Sequence, residues 1–185
     1  MAFLIRQTLV YAVPLMLVAL AGVYAERSGI INLALEGIMI FGAFMGVLFV
    51  RQVQQWQWFA QAYADKAYLQ LQLFALLAIV FSAICGALFS TLLAFAAINL
   101  KADQTIGGTA LNLLAPAFVL FFIRIIANQN TMNMYEGDAA SWFRLKKAMF
   151  GYGKKEEMSF LGSTFVDKVY VATYICIVEI GRAHV

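Results

Sequence analysis

Charge is what this sequence has least of. Only 12% of its 185 residues are Asp, Glu, Lys or Arg, against about 25% in an ordinary soluble domain. Apolar residues make up 63%, and the mean hydropathy is +0.81. That balance excludes a soluble globular enzyme and a disordered tail. Two cysteines are too few for a disulfide-stapled secreted module. With His184 as the single histidine, and Cys85 and Cys176 far apart, no metal constellation is available, and no metal or other cofactor is expected. The net charge of +3 is weak and dispersed, which excludes nucleic acid as a partner. No G-x-x-x-x-G-K-[ST], G-x-S-x-G or H-E-x-x-H pattern occurs, so catalysis of covalent chemistry is not expected.

What remains is hydrocarbon in long blocks. A bilayer core about 30 Å thick needs roughly 20 apolar residues of helix. No charged residue occurs from Gln7 to Ala25. A second run, Gly37–Val50, reaches spanning length only when Ile30–Leu35 and the intervening Glu36 join it. The third, Ala67–Leu100, exceeds one upright span and must tilt or protrude. Gln104–Ile123 gives a fourth, and a fifth starts at Val169 and is cut short at Val178. Lipid offers no partner to backbone N–H and C=O groups, so all-round hydrophobicity means helices, and the alternating ten-residue segments of a β-barrel are missing. The expected fold is all-α and integral to the membrane. It is a polytopic helical bundle with four complete hydrophobic segments plus a truncated fifth, with the lipid bilayer as its surroundings. Arg6 and the apolar stretch ending Val23-Tyr24-Ala25 also resemble a cleaved signal peptide. The stretch is longer than a signal core, however, and further spans follow.

The connections differ in kind. Arg51–Gln70 mixes Trp56, Trp58, Tyr63 and Tyr68 with glutamines, as at a membrane–water boundary. Residues 127–168 form the long polar loop, carrying Gly151-Tyr152-Gly153, charge clusters and a short amphipathic segment near Ser141–Phe150. Both cysteines lie in apolar spans as small hydrophobes. The closing string EIGRAHV, residues 179–185, resembles a translated sequencing adapter. The reading is therefore of the N-terminal part of a membrane domain over residues 1–178, followed by a non-native tail that includes His184; a genuine short charged terminus is the alternative.

Polar groups inside such spans are costly and mark sites. Glu36 follows Asn32 by four residues, so on a helix the two share a face and could line an aqueous path. Alternatively, Glu36 is a helix-start carboxylate favoured by the N-terminal dipole near Ser28 or Asn32. Gly42 and Gly46 form a G-x-x-x-G spacing, and Gly86 with Ser90 is another small pair; both point to close helix packing. The segment Lys101–Asn112 opens a helix that also holds Pro116. Asp103 or Thr105 could cap it, with Gly107-Gly108 weakening its first turns. It reads either as a discontinuous solute-holding helix start or as a plain cap with a packing surface.

Two strings carry a resemblance. Glu26-Arg27-Ser28-Gly29-Ile30-Ile31-Asn32-Leu33-Ala34-Leu35-Glu36-Gly37-Ile38-Met39, continuing through Gly42-Ala43-Phe44, resembles the start of the second membrane segment in permease subunits of bacterial ABC importers. The branch is that for nucleosides and simple sugars, related to branched-chain amino acid permeases. Leu100–Leu114, containing Ala102-Asp103-Gln104 and Gly108-Thr109-Ala110-Leu111-Asn112, is similar to a second segment of that branch, and Phe160-Leu161-Gly162 with Val169-Tyr170 is a weaker echo. The resemblance implies a multi-pass subunit of the bacterial inner membrane working with a second permease subunit, a cytoplasmic ABC ATPase and an extracytoplasmic solute-binding protein. It would form a path for nucleosides or a related small polar solute such as a sugar, with branched-chain amino acids as the alternative importer substrate. Asn32, Glu36, Asp103, Gln104 and Asn112 are the candidate path residues. Glu26, Arg27, Ser28, Gly29, Gly37 and Gly108 complete the matching motif positions. The long loop is more charged than that family's usual connection, and the ATPase-docking loop and later helices of the family have no counterpart here.

Five simple spans with the N-terminus inside would satisfy the positive-inside rule. The resemblance instead puts the long loop outside, which needs a re-entrant segment near Glu26–Gly37 or Asp103–Asn112. A self-contained channel or a membrane assembly protein is the competing function. It differs in needing no ATPase.

Overall fold

A computed structural model of the chain describes residues 2–134 together with Trp142, Thr173, Tyr174, Ile177 and Val178. The amphipathic segment near Ser141–Phe150, apart from Trp142, lies outside the described residues. So do most of the fifth run, Cys176 and the 179–185 tail. Among the described residues the regular structure is entirely helical: α1 (Ala2–Arg27), α2 (Leu35–Gln54), α3 (Gln57–Ala64), α4 (Tyr68–Ile98) and α5 (Gln104–Ala127). Four of them, α1, α2, α4 and α5, are long and apolar enough to cross a membrane. This is the polytopic all-α architecture of a multi-pass membrane protein.

Helix lengths follow from the apolar runs. The 20 residues of α2 rise about 30 Å, a single bilayer core, whereas the 31 of α4 rise about 46 Å and overshoot it. The short α3 was not anticipated. It forms inside the aromatic–glutamine connection by burying Phe59 and Ala62 while Trp58 stays exposed, an apolar side too brief to show as a helical period.

The close approaches fix the packing directions. A Cβ added at Gly42 would stand 3.4 Å from the Ser82 carbonyl oxygen, one at Gly46 would stand 3.2 Å from Ser82 Cβ, and Gly86 faces Ile38. Rising numbers on α2 meet falling numbers on α4, so these helices are antiparallel. The Ser82 hydroxyl donates to the Gly42 carbonyl at 2.6 Å, a polar tie between two backbones brought together by their glycines. Gly37 instead lies against Leu111 and Asn112, and the Phe41 ring reaches Phe118 at 5.8 Å; α2 and α5 therefore run parallel. Gly22 of α1 abuts Leu35 at the head of α2.

Two buried clusters close the bundle at its ends. Ala34, Phe89, Leu93, Leu111 and Ala115 form one, with the Phe41 and Phe89 rings stacked at 4.4 Å. Val50, Val53, Phe59, Ala62, Leu71, Ala78 and Trp142 form the other. Trp142, 3% exposed, meets Phe59 edge-on at 5.1 Å, and its carbonyl accepts from Gln72 Nε2 at 3.4 Å. Gln54 Nε2 donates to the Met134 carbonyl at 3.3 Å. The chain beyond α5 thus returns across the end where α2 stops and α4 starts.

Near Glu26–Gly37 and Asp103–Asn112, the two places where a re-entrant segment would change the parity, the chain takes different forms. Residues 28–34 make a non-helical link between α1 and α2, and α5 is one continuous helix. With four crossings, Ala2 and residues 128–134 lie at the same end of the bundle.

Candidate functional site

The opposite end gathers both sequence motifs. Helix α1 stops there by backbone geometry. Gly29 adopts φ +81°, its N–H bonds to the Glu26 carbonyl at 3.0 Å, and the Ile30 N–H reaches back to the Ala25 carbonyl at 3.1 Å. This paired closure around a left-handed glycine satisfies carbonyls that would otherwise be orphaned at the helix end. The Ser28 hydroxyl adds a bond to the Ala25 carbonyl at 2.7 Å. Glu26 and Arg27 are exposed on the last turn.

Asn32 does not share a helix face with Glu36, because α2 begins at Leu35. The Asn32 Oδ1 accepts from the Ala34 N–H at 3.0 Å. Asparagine offers its own backbone this local turn in place of a helical bond, which is why the helix starts late. Glu36 then falls in the first turn of α2 and is exposed. At helical spacing it leads a stripe with Met39 and Ala43, all exposed, on the side of α2 away from its contacts with α4 and α5.

The start of α5 is built to receive this link. Asp103 caps the helix, its Oδ1 accepting from the Thr105 and Ile106 N–H groups at 2.8 and 3.1 Å. Those donors, Ile106 first and then Thr105, hold its carboxyl below the ordinary value of 3.8. Gln104 Oε1 accepts from the Ile31 N–H at 3.0 Å. Asn112 engages twice, accepting from the Gly37 N–H at 2.7 Å through Oδ1 and donating to the Leu33 carbonyl at 2.5 Å through Nδ2. Gly108 lets the backbones touch, since a Cβ there would sit 3.0 Å from Leu33 Cβ and 3.2 Å from the Leu33 nitrogen.

One amide side chain of α5 thus satisfies an orphan N–H in the first turn of α2, the role a local cap ordinarily fills. No side chain caps α2 from its own N-cap position, Ala34. Two further features belong to α5. Thr105 and Thr109 are exposed on α5, with the Thr109 hydroxyl donating to the Thr105 carbonyl at 2.8 Å. Pro116, inside the helix, has no N–H to give the Asn112 carbonyl four residues earlier.

The five candidate path residues therefore separate. Asn32, Asp103, Gln104 and Asn112 each spend at least one polar atom on main-chain groups: Asn32 and Asp103 locally, on Ala34 and on Thr105 and Ile106, and Gln104 and Asn112 across the junction, joining residues 31–37 to α5. Glu36 sits beside them with its carboxylate exposed. No group of three or more metal-ligating side chains occurs among the described residues. Chemically, the arrangement presents hydrogen-bonding groups at one end of an apolar bundle, around a helix break.

Residues 4–156 match the family described as the branched-chain amino acid transport system / permease component. The chain is 44% identical over 126 residues to the guanosine ABC transporter permease protein NupQ of Bacillus subtilis, covering 68% of this chain and 35% of that protein. It is 38% identical over 133 residues to the nucleoside ABC transporter permease protein NupC of Lactococcus lactis, covering 72% of this chain and 38% of that one. The chain thus spans little more than a third of the length of these relatives. No solved structure matches it. By the extent of that match, and with the two motifs joined at one end of four spanning helices, the chain belongs to the branched-chain amino acid transport system / permease component family.

Proposed function

We propose that this chain is part of the permease of an ATP-driven importer of nucleosides in a bacterial inner membrane, acting with a second permease subunit, a cytoplasmic ATPase and an extracytoplasmic solute-binding protein. The observation that carries the reading is the junction itself. Two motifs 75 residues apart meet where α2 and α5 begin, and an exposed carboxylate, Glu36, stands beside them in a bundle otherwise faced with hydrocarbon. An ionised carboxylate on a spanning helix does not face lipid without cost, so the Glu36–Met39–Ala43 stripe is assigned to the conduit between the two permeases. Glu36 accepts hydrogen bonds from ribose hydroxyls or base N–H groups. Asn32 Nδ2 and Asp103 Oδ2 supply further polar atoms at the mouth. The names of the two nucleoside-permease relatives support the solute class.

The proposal includes an orientation. Arg51, Lys66 and Arg124 lie at the end holding Ala2, with Asp65 their one acidic companion among the described residues; Glu26, Glu36 and Asp103 lie at the other end, with Arg27 and Lys101. The positive-inside rule puts the first end in the cytoplasm. Helix α3 and the segment holding Trp142 then face the cytoplasm, and the motif junction faces the solute-binding protein.

Uptake of labelled guanosine by cells carrying the complete gene and its partners tests this. Glu36→Ala, at unchanged expression, is expected to cut uptake at least tenfold, and Glu36→Gln to keep part of it. Full uptake by Glu36→Ala removes that residue from the path. Flux that persists without any ATPase favours a self-contained channel.

A further inference from the structure

We infer that Asn112 and Gln104 are positioning residues: two side-chain amides of α5 that grip the main chain of the 31–37 segment and set where the head of α2, and with it Glu36, stands against α5. The bonds themselves are the argument. Gln104 uses only its acceptor, Oε1, on the Ile31 N–H. Asn112 uses both ends of its amide at once, with Oδ1 on the Gly37 N–H and Nδ2 on the Leu33 carbonyl. These three main-chain groups lie at a helix break, where the regular ladder supplies no partner, and leaving the part-buried Gly37 N–H unpaired would cost more than an ordinary hydrogen bond gains. Glycine contacts enforce the register. Gly37 has no room for a Cβ, which would stand 2.9 Å from the Leu111 carbonyl oxygen, and Gly108 is pressed on Leu33 and Ala34. Sliding α2 by one residue against α5 would break both Asn112 bonds and drive side chains into these contacts. The heads of α2 and α5 therefore move as one body, and Asn112 acts on solute through the position of Glu36.

The different use of the two amides makes a sharp test. At residue 104 an acceptor suffices, so Gln104→Glu keeps the function and Gln104→Leu loses it. At residue 112 a donor and an acceptor are both needed. Asn112→Asp at neutral pH keeps the bond from Gly37 but sets a carboxylate against the Leu33 carbonyl. Lowering the pH protonates the new carboxyl and returns the missing donor. The ionisable groups at this end, Glu26, Arg27, Glu36, Lys101 and Asp103, are all exposed, and the parent protein titrated in parallel subtracts their effect.

The experiment uses the full-length permease assembled with its partners, with thermal unfolding in detergent and guanosine uptake measured on the same variants between pH 5 and pH 8. Expected for Asn112→Asp is a lowered melting temperature at pH 8 that recovers toward the parent value at pH 5, and uptake reduced about tenfold in maximal rate with an unchanged preference among nucleosides. Gln104→Glu is expected to match the parent. Asn112→Leu is expected to be low at every pH. A parent-like Asn112→Asp at pH 8, a deficit that does not respond to pH, or a changed preference among nucleosides overturns the proposal; the last would make Asn112 a solute ligand. The inference rests on the proposed function only for its transport readout. The melting pattern stands whether or not the solute is a nucleoside.

Discussion

Gly37 and Asn112, one at the head of α2 and the other two turns into α5, share a 2.7 Å hydrogen bond across 75 residues of sequence. That bond places an exposed acidic residue and a capped helix start side by side at one end of the bundle, and most of what can be tested about this chain follows from it.

Close packing at Gly37 is tested by adding one carbon. The Cβ of Gly37→Ala would meet the Leu111 carbonyl oxygen at 2.9 Å and Asn112 Cα at 3.1 Å, both on a helix backbone that cannot turn aside. Overpacking of this kind costs about 1–3 kcal/mol. Thermal unfolding of the purified full-length permease should register it, while Gly29→Asn, at a left-handed position with open space around it, should be nearly neutral.

The tie between α2 and α4 is weaker. Ser82→Ala removes the bond to the Gly42 carbonyl but leaves the glycine contacts in place. An interhelical hydrogen bond in a membrane contributes about 0.6 kcal/mol, so a small drop in melting temperature and near-normal transport are expected. Ser82→Leu crowds Gly46 and should be much the worse of the two.

Acidification should act through Asp103. Its carboxyl is held below 3.8 by the Ile106 and Thr105 N–H groups, so the folded state binds that proton less readily than the unfolded one. The stabilisation is therefore present above the unfolded value and is lost as pH falls through the lower folded value. Asp103→Asn keeps a capping oxygen without the charge and should remove this acid-range component; Asp103→Ala should lower the melting temperature at all pH values.

Orientation is open to direct labelling. In a cysteine-free background, Gln61→Cys on α3 and Ala102→Cys before α5 place exposed thiols at opposite ends. A membrane-impermeant maleimide added to intact spheroplasts should modify the second and spare the first. The reverse pattern inverts the proposed topology.

At the far end, Trp142→Ala should free the returning segment. The indole is 3% exposed and stacked edge-on against Phe59. Removing a buried Trp costs about 3–5 kcal/mol in a well-packed core. Limited proteolysis should then cleave after α5 faster than in the parent, with α1 to α5 still resistant.

The spans were legible because they depend on composition: an uncharged run of sufficient length has one stable form in lipid. Their starts were less so. The expected Asn32–Glu36 face presumed a helix from Ile30, whereas the Asn32 side chain bonds locally to Ala34 and delays the helix to Leu35. Asp103 was readable as a cap because its partners are two and three residues away. The engagement of Gln104 and Asn112 with residues 31–37 was not, since it depends on the parallel register of two helices separated in the chain by α3 and α4. Trp142 gave no signal for the same reason: its pocket is assembled from α2, α3 and α4.

The parallel pairing of α2 with α5 also governs biogenesis. Residues 33 and 37 are synthesised well before Asn112, so the Leu33 carbonyl and Gly37 N–H lack their native partner until α5 has been made. The nascent protein passes through a stage in which its second helix is inserted but unseated.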